Sequence, residues 1–224
     1  MSIGLFQTPT HIVRHLNTIW QSRKQHYHHH PHFIITPHIM GSYGLSYFLE
    51  DMTGKLTGSE FVDIYGRMRL TLRRTTLDTT RSAYMIFNTT SSAGYSSHST
   101  TKPLVALDFG PKNTLGTISF PPNVCIPMPK YLARASSGSS MARRFRASDG
   151  QEYCWSYRGQ MDQEWVCTNA NGHVVAYYSL KPHGEPEYAG SSGCSLTIEE
   201  AYPHIAPELL ASLLIMRHIA AHSL

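Results

Sequence analysis

Arg143, Arg144 and Arg146 have the type and spacing to bind an anion. The guanidinium is a planar fork that fits phosphate oxygens. Side chains two apart on a strand leave from one face, so Arg144 and Arg146 can meet the same ligand. These three are the anion- or lipid-binding candidates, and a solvated strand face is the competing reading, because isolated surface charges signify little. Tyr153, Trp155 and Tyr157 also share a face and are candidates to line a pocket or stack on a planar ligand, against the commoner fate of core packing. Asp149 lies beside them, yet an aspartate before a glycine is explained by hairpin geometry. His218 and His222, four apart, would share a metal only with a third ligand, and the sequence identifies none, so no metal is assigned.

Other chemistries lack their signatures. The tract from His26 to His32 holds five histidines but no acid or cysteine in register, and it reads as a solvated loop with at most weak affinity for a transition metal. Neither a nucleophile elbow nor a phosphate-cradling glycine loop nor a dinucleotide fingerprint occurs, so no catalytic residue and no cofactor is nominated. Cys125, Cys154, Cys167 and Cys194 form no CxxC pair, which points to reduced, buried thiols rather than zinc or disulfides. The net charge of +4 is too mild and too thinly spread to argue for nucleic acid, although the fourteen histidines would add charge on acidification. Thr8, Pro9, Thr10, His11, Arg14 and His15 break any secretory leader, so an intracellular, cytoplasmic protein is expected.

The elements that must position these groups are mostly strands. With 41% hydrophobic residues the chain can bury a core. Residues 9–20 suggest a short amphipathic helix, which with the His-rich loop makes residues 1–50 an N-terminal extension. The alternation from Glu60 through Leu72 suggests a half-buried strand. Further strands are expected at 82–89, 103–109 and 115–120, with a Ser/Thr-rich loop at 89–101 and a firm stop at Pro121 and Pro122. In the second half, Asp149-Gly150 marks a two-residue hairpin turn between strands at 144–148 and 153–157. Strands follow at 165–168, 173–180 and 194–198, with a turn at 169–172 and a loop at 181–193. Residues 206–222 form a helix with Pro207 and Glu208 in its first turn and almost no polar face. A helix apolar nearly all round is buried in protein or in lipid. This one is short of the roughly 20 residues that cross a bilayer, which favours protein over a C-terminal anchor and predicts no transmembrane span.

The expected class is therefore β-rich α+β, an antiparallel barrel-like sheet over residues 51–224 around a hydrophobic C-terminal helix. That arrangement is similar to the tubby-like and LURP-one-related barrels. Residues from about Glu60 to His222 resemble a fungal, basidiomycete family, domain of unknown function 6593. The residues that carry this are Phe61 to Gly66, the Arg144-Phe145 pair leading through Asp149-Gly150 to Tyr153 and Trp155, the Val174 to Tyr177 strand and the Leu-rich ending. The resemblance implies the fold and brings no catalytic residue with it. By fold-level analogy the first expectation is a non-enzymatic ligand- or lipid-binding or scaffold domain, peripheral at membranes, whose partner is an anionic phospholipid or a small apolar ligand. The alternative is an isomerase- or cyclase-type enzyme of fungal specialised metabolism, with Asp, His or Tyr as acid and base in an apolar pocket. A third reading makes the amphipathic start and the last helix an interaction surface within a complex.

Overall fold

The computed structural model describes residues 44–75, 81–90, 102–135, 141–160, 163–186 and 189–224. The helix expected at 9–20, the His-rich tract and most of the Ser/Thr-rich loop lie outside the described residues. The strands are β1 (Tyr47–Asp51), β2 (Ser59–Asp63), β3 (Arg69–Arg74), β4 (Ser82–Asn88), β5 (Val105–Phe109), β6 (Thr117–Phe120) and β7 (Val124–Pro127). A four-residue helix, α1 (Met128–Tyr131), leads into β8 (Ala133–Arg134), β9 (Arg143–Arg146), β10 (Glu152–Gln160), β11 (Gln163–Asn169), β12 (Val174–Ser179) and β13 (Cys194–Ile198). The chain then enters α2 (Ala206–His222).

Among the described residues all thirteen strands lie in one sheet, in the order β7-β6-β5-β4-β3-β2-β1-β13-β12-β11-β10-β9-β8. The row is an up-and-down meander in which β1 pairs with β13 over five residues. Every neighbouring pair is antiparallel. The expected barrel is not closed by hydrogen bonds, and parity supplies a reason. In a row of thirteen alternating strands the first and last, β7 and β8, point the same way. Closing the ring would therefore require a parallel pair, which a short connection does not form. The edges are instead bridged by α1, and aromatic rings run across the gap. Phe120 packs on Tyr131 (5.6 Å between centroids), Tyr131 on Phe145 (5.7 Å) and Phe145 on Tyr153 (5.6 Å).

The interior is filled by α2. Leu209, Leu210, Leu213, Leu214, Ile215, Met216 and Ile219 are all buried, in one cluster with side chains from both halves of the sheet. Each such side chain contributes about 1.5–3 kcal/mol on leaving water. The helix therefore needs no lipid to cover its apolar faces. It ends where Ser223 turns left-handed, its N–H bonded to Ile219 O. Polar contacts fix its depth. Trp155 donates its indole N–H to Ser212 Oγ (2.8 Å), and Ser212 donates to Leu209 O (3.1 Å).

Three local expectations are corrected. The alternation from Glu60 to Leu72 is two strands, because buried Asp63 accepts from the Arg67 N–H (3.1 Å) and the Arg67 side chain (2.8 Å) and folds the chain into a hairpin. The β9–β10 loop holds three residues rather than two. Ala147 N–H bonds Gln151 O, and Gly150 (φ 78°) takes the left-handed position that closes such loops. The four thiols are free, but only Cys167 is buried, while Cys125 is exposed on β7.

Candidate functional site

The outer face of the sheet near its β8 edge is basic because of register. Along β9 the side chains alternate strictly: Arg143 and Phe145 are buried, whereas Arg144 and Arg146 are exposed. The three arginines thus divide between two faces. Arg144 sits 3.3 Å from Glu152 across the β9–β10 ladder, an exposed pair of small energetic value. Arg134, opposite Arg143, and Lys130 on α1 are exposed nearby. Sequence reasoning missed both. Nothing in the stretch before β9 announces a two-residue strand, so no pattern tied them to the β9 arginines.

The aromatic candidates share the inner face as expected. Tyr153 (1% exposed) and Trp155 (0%) are packed into the core, and Tyr157 is half-buried with its ring 4.9 Å from that of Trp165. Tyr153 and Trp155 act as packing residues that hold α2.

At the N-terminal end of α2 a polar group pins the β9–β10 loop. Glu208 accepts from the Ser148 N–H (3.1 and 3.0 Å) and from the Ser148 hydroxyl. Its charge also suits the first turn of a helix. Asp149 accepts from the Tyr153 hydroxyl (2.6 Å) and the Gln151 N–H (2.9 Å), with His204 Nε2 at 3.5 Å. Partial burial works to raise the Asp149 carboxyl. Hydrogen bonds from Tyr153, Gln151 and His204 outweigh it and hold the group below its ordinary range. A carboxylate so shifted stabilises the fold above its unfolded pKa of about 3.9, and that contribution disappears as pH falls through the lower folded value. Asp149→Asn is therefore expected to lower stability to urea at about pH 7, with the deficit shrinking progressively as pH falls below about 3.9. A deficit that does not change with pH would contradict the assignment.

Near the other end of α2, His218 stacks on Phe109 (3.9 Å) and bonds Asn113 O through Nε2 (2.8 Å), with His222 4.4 Å away. Burial lowers its pKa below the usual histidine value. Among the described residues no group of three or more His, Cys, Asp or Glu is placed to hold a metal. Beside His218 lies a cavity of about 20 Å³, lined also by Leu72, Tyr84, Phe109 and Leu214, with room for about one water molecule. No helix among the described residues is long and apolar enough to cross a membrane.

Fold and surface together define an antiparallel meander wrapped on a buried C-terminal helix, with a basic outer edge. Residues 71–221 match the family of unknown function DUF6593, and the chain belongs to that family. The match begins within β3, so the Phe61 to Gly66 stretch lies outside it, although β1 and β2 complete the same sheet. No curated protein and no solved structure matches the chain.

Proposed function

We propose that this is a non-enzymatic binding domain that docks on anionic phospholipid through the exposed cations at its β8 edge. The observation that carries the reading is the outward pairing of Arg144 and Arg146, with Lys130 on α1 also exposed. A strand face presents such charges without rearrangement, and each cation near an anionic bilayer gains about 1 kcal/mol. A sheet wrapped around a buried C-terminal helix also supports kinship with tubby-like and LURP-one-related barrels, as an analogy of fold. An interior occupied by α2 favours a ligand met at the surface over one enclosed within the sheet.

Co-sedimentation with vesicles tests this. Binding is expected to phosphatidylserine–phosphatidylcholine vesicles and not to phosphatidylcholine alone, weakening as salt rises. The double variant R144E/R146E removes about 2 kcal/mol of attraction and adds repulsion, so affinity should fall by at least roughly thirtyfold. Equal binding to both vesicle types, or an unaltered double variant, would end the proposal.

A further inference from the structure

Six large hydrophobic side chains among the described residues are exposed, and four of them gather at one end of the sheet: Leu45 (56% exposed), Tyr65 (44%), Leu104 (38%) and Val124 (49%). Strand direction puts them there. Along β1 to β7 each strand is the antiparallel neighbour of the next, so the start of β1 and the β2–β3, β4–β5 and β6–β7 connections share an end. Leu45 precedes β1, Tyr65 lies between β2 and β3, Leu104 immediately precedes β5 and Val124 opens β7. Arg67 holds the first two together, donating to Leu45 O (2.7 Å) and lying over the Tyr65 ring at 5.2 Å. Successive connections are two strands apart, about 10 Å along the rim. The same end receives the start of α2, since Ile198, the last residue of β13, lies opposite Tyr47, the first of β1.

A single exposed apolar residue signifies little, whereas several on one face mark a surface that meets another protein or a membrane. These tips are spread along an arc rather than lining a groove. Such an array suits a flat partner better than a peptide, which needs a continuous groove or an open strand edge. Charge narrows the choice. The described residues of the three connections, 64–68, 89–90, 102–104 and 121–123, include no acid. They include Arg67 and the exposed Lys102, and the exposed Arg69 opens β3. Arg146 closes β9 opposite Glu152 at the start of β10, which the ladder from β10 to β13 places at this end too. The acids here, Asp149, Glu152, Glu199 and Glu200, belong to the β9–β13 half, so the β1–β7 half is the side that a negative surface attracts. Apolar tips flanked by cations and clear of carboxylates have the composition that enters the headgroup boundary of a bilayer.

We propose that this end of the sheet is a membrane-insertion surface, in which Tyr65, Leu104 and Val124 enter the headgroup boundary and Arg69 and Lys102 lie beside the lipid phosphates. It rests on the membrane reading above and adds an apolar anchor and an orientation, with the N-terminal end of α2 toward the bilayer.

Vesicle co-sedimentation and fluorescence of the full chain test this. L104S/V124S, at two exposed positions, should keep the parent's unfolding temperature and lower affinity for phosphatidylserine–phosphatidylcholine vesicles at least about tenfold. L180S, exposed after β12 at the opposite end, should leave affinity unchanged. With brominated phosphatidylcholine in the vesicles, L104W should add a blue-shifted, quenched emission to that of the parent's three tryptophans, and L180W should not. Binding that depends on Arg144 and Arg146 but ignores L104S/V124S, with no added quenching in L104W, would overturn the insertion and leave the charge reading intact. Equal binding to charged vesicles and to phosphatidylcholine alone, lost in L104S/V124S, would end the charge reading and support the insertion. A dimer in solution that L104S/V124S dissociates would assign this end to a second copy of the chain and overturn the proposal. Absence of binding to every vesicle would overturn both readings.

Discussion

Replacing Asp51 by alanine is expected to lower stability by about 3–5 kcal/mol, the range seen when a buried charge loses its partner. Asp51 is fully buried at the end of β1. Its carboxylate accepts from the Ser59 hydroxyl (2.5 Å), the Tyr178 hydroxyl (2.8 Å) and the Gly54 N–H (2.9 Å), and it faces Arg217 Nη1 at 3.7 Å. Arg217 also lies over the Tyr178 ring at 4.6 Å and donates to Gly54 O at 3.0 Å. One carboxylate thus ties the last turns of α2 to the β1–β2 hairpin and to β12. Truncation leaves a mostly buried cation without a counter-charge and two hydroxyls without an acceptor. Asp51→Asn, which keeps an acceptor but no charge, should fall between parent and alanine. Thermal unfolding reads the effect as a drop of roughly 6–20 °C for a domain of this size. A loss under about 1 kcal/mol would show that this cluster contributes only at the level of an exposed ion pair.

Trp155→Ala should produce a loss of similar size, about 3–5 kcal/mol, for a different reason. The side chain is fully buried on the inner face of β10, between the sheet and α2. Its removal leaves a cavity that a helix gripped on all sides cannot collapse into. Trp155→Phe separates the contributions, because it keeps most of the volume and deletes the indole N–H bond to Ser212. Ser212 retains its own bond to Leu209 O, so the phenylalanine variant should lose only about 1 kcal/mol. Urea denaturation with an unchanged slope would report stability alone. If alanine and phenylalanine cost the same, packing at this position is not what holds the helix.

Much of the fold is legible without coordinates. The boundaries of α2 and of β13 agree with the periodicity that announces them, and β4, β5, β6, β11 and β12 fall where expected within two residues or so at each end. These segments carry their own signals, either alternation bounded by turn residues or an uninterrupted apolar run behind Pro207. Four short elements, β1, β7, α1 and β8, carry no such signal. Tyr47–Asp51 contains one strictly apolar pair followed by two acids, and Ala133–Arg134 is too short for any period. Their existence depends on neighbours already in place, β13 and β2 for the first and β9 for the last.

The candidate surface divides in the same way. That Arg144 and Arg146 share a face follows from the period of a strand, and so does the common face of Tyr153, Trp155 and Tyr157. Which face looks inward does not follow, since Arg143 and Phe145 alternate with them equally well. The burial of Arg143 beside Arg134 was decided by the pairing of β8 with β9.

Local composition alone determined that this protein has many antiparallel strands and one helix too apolar for water, because these properties reside in residues close together along the chain. Tertiary structure decided that the sheet wraps the helix without sealing into a ring, and that Asp51 meets Arg217 and Arg134 meets Arg143. Those outcomes depend on strand parity and on contacts between residues far apart in sequence, whose energies no local pattern contains.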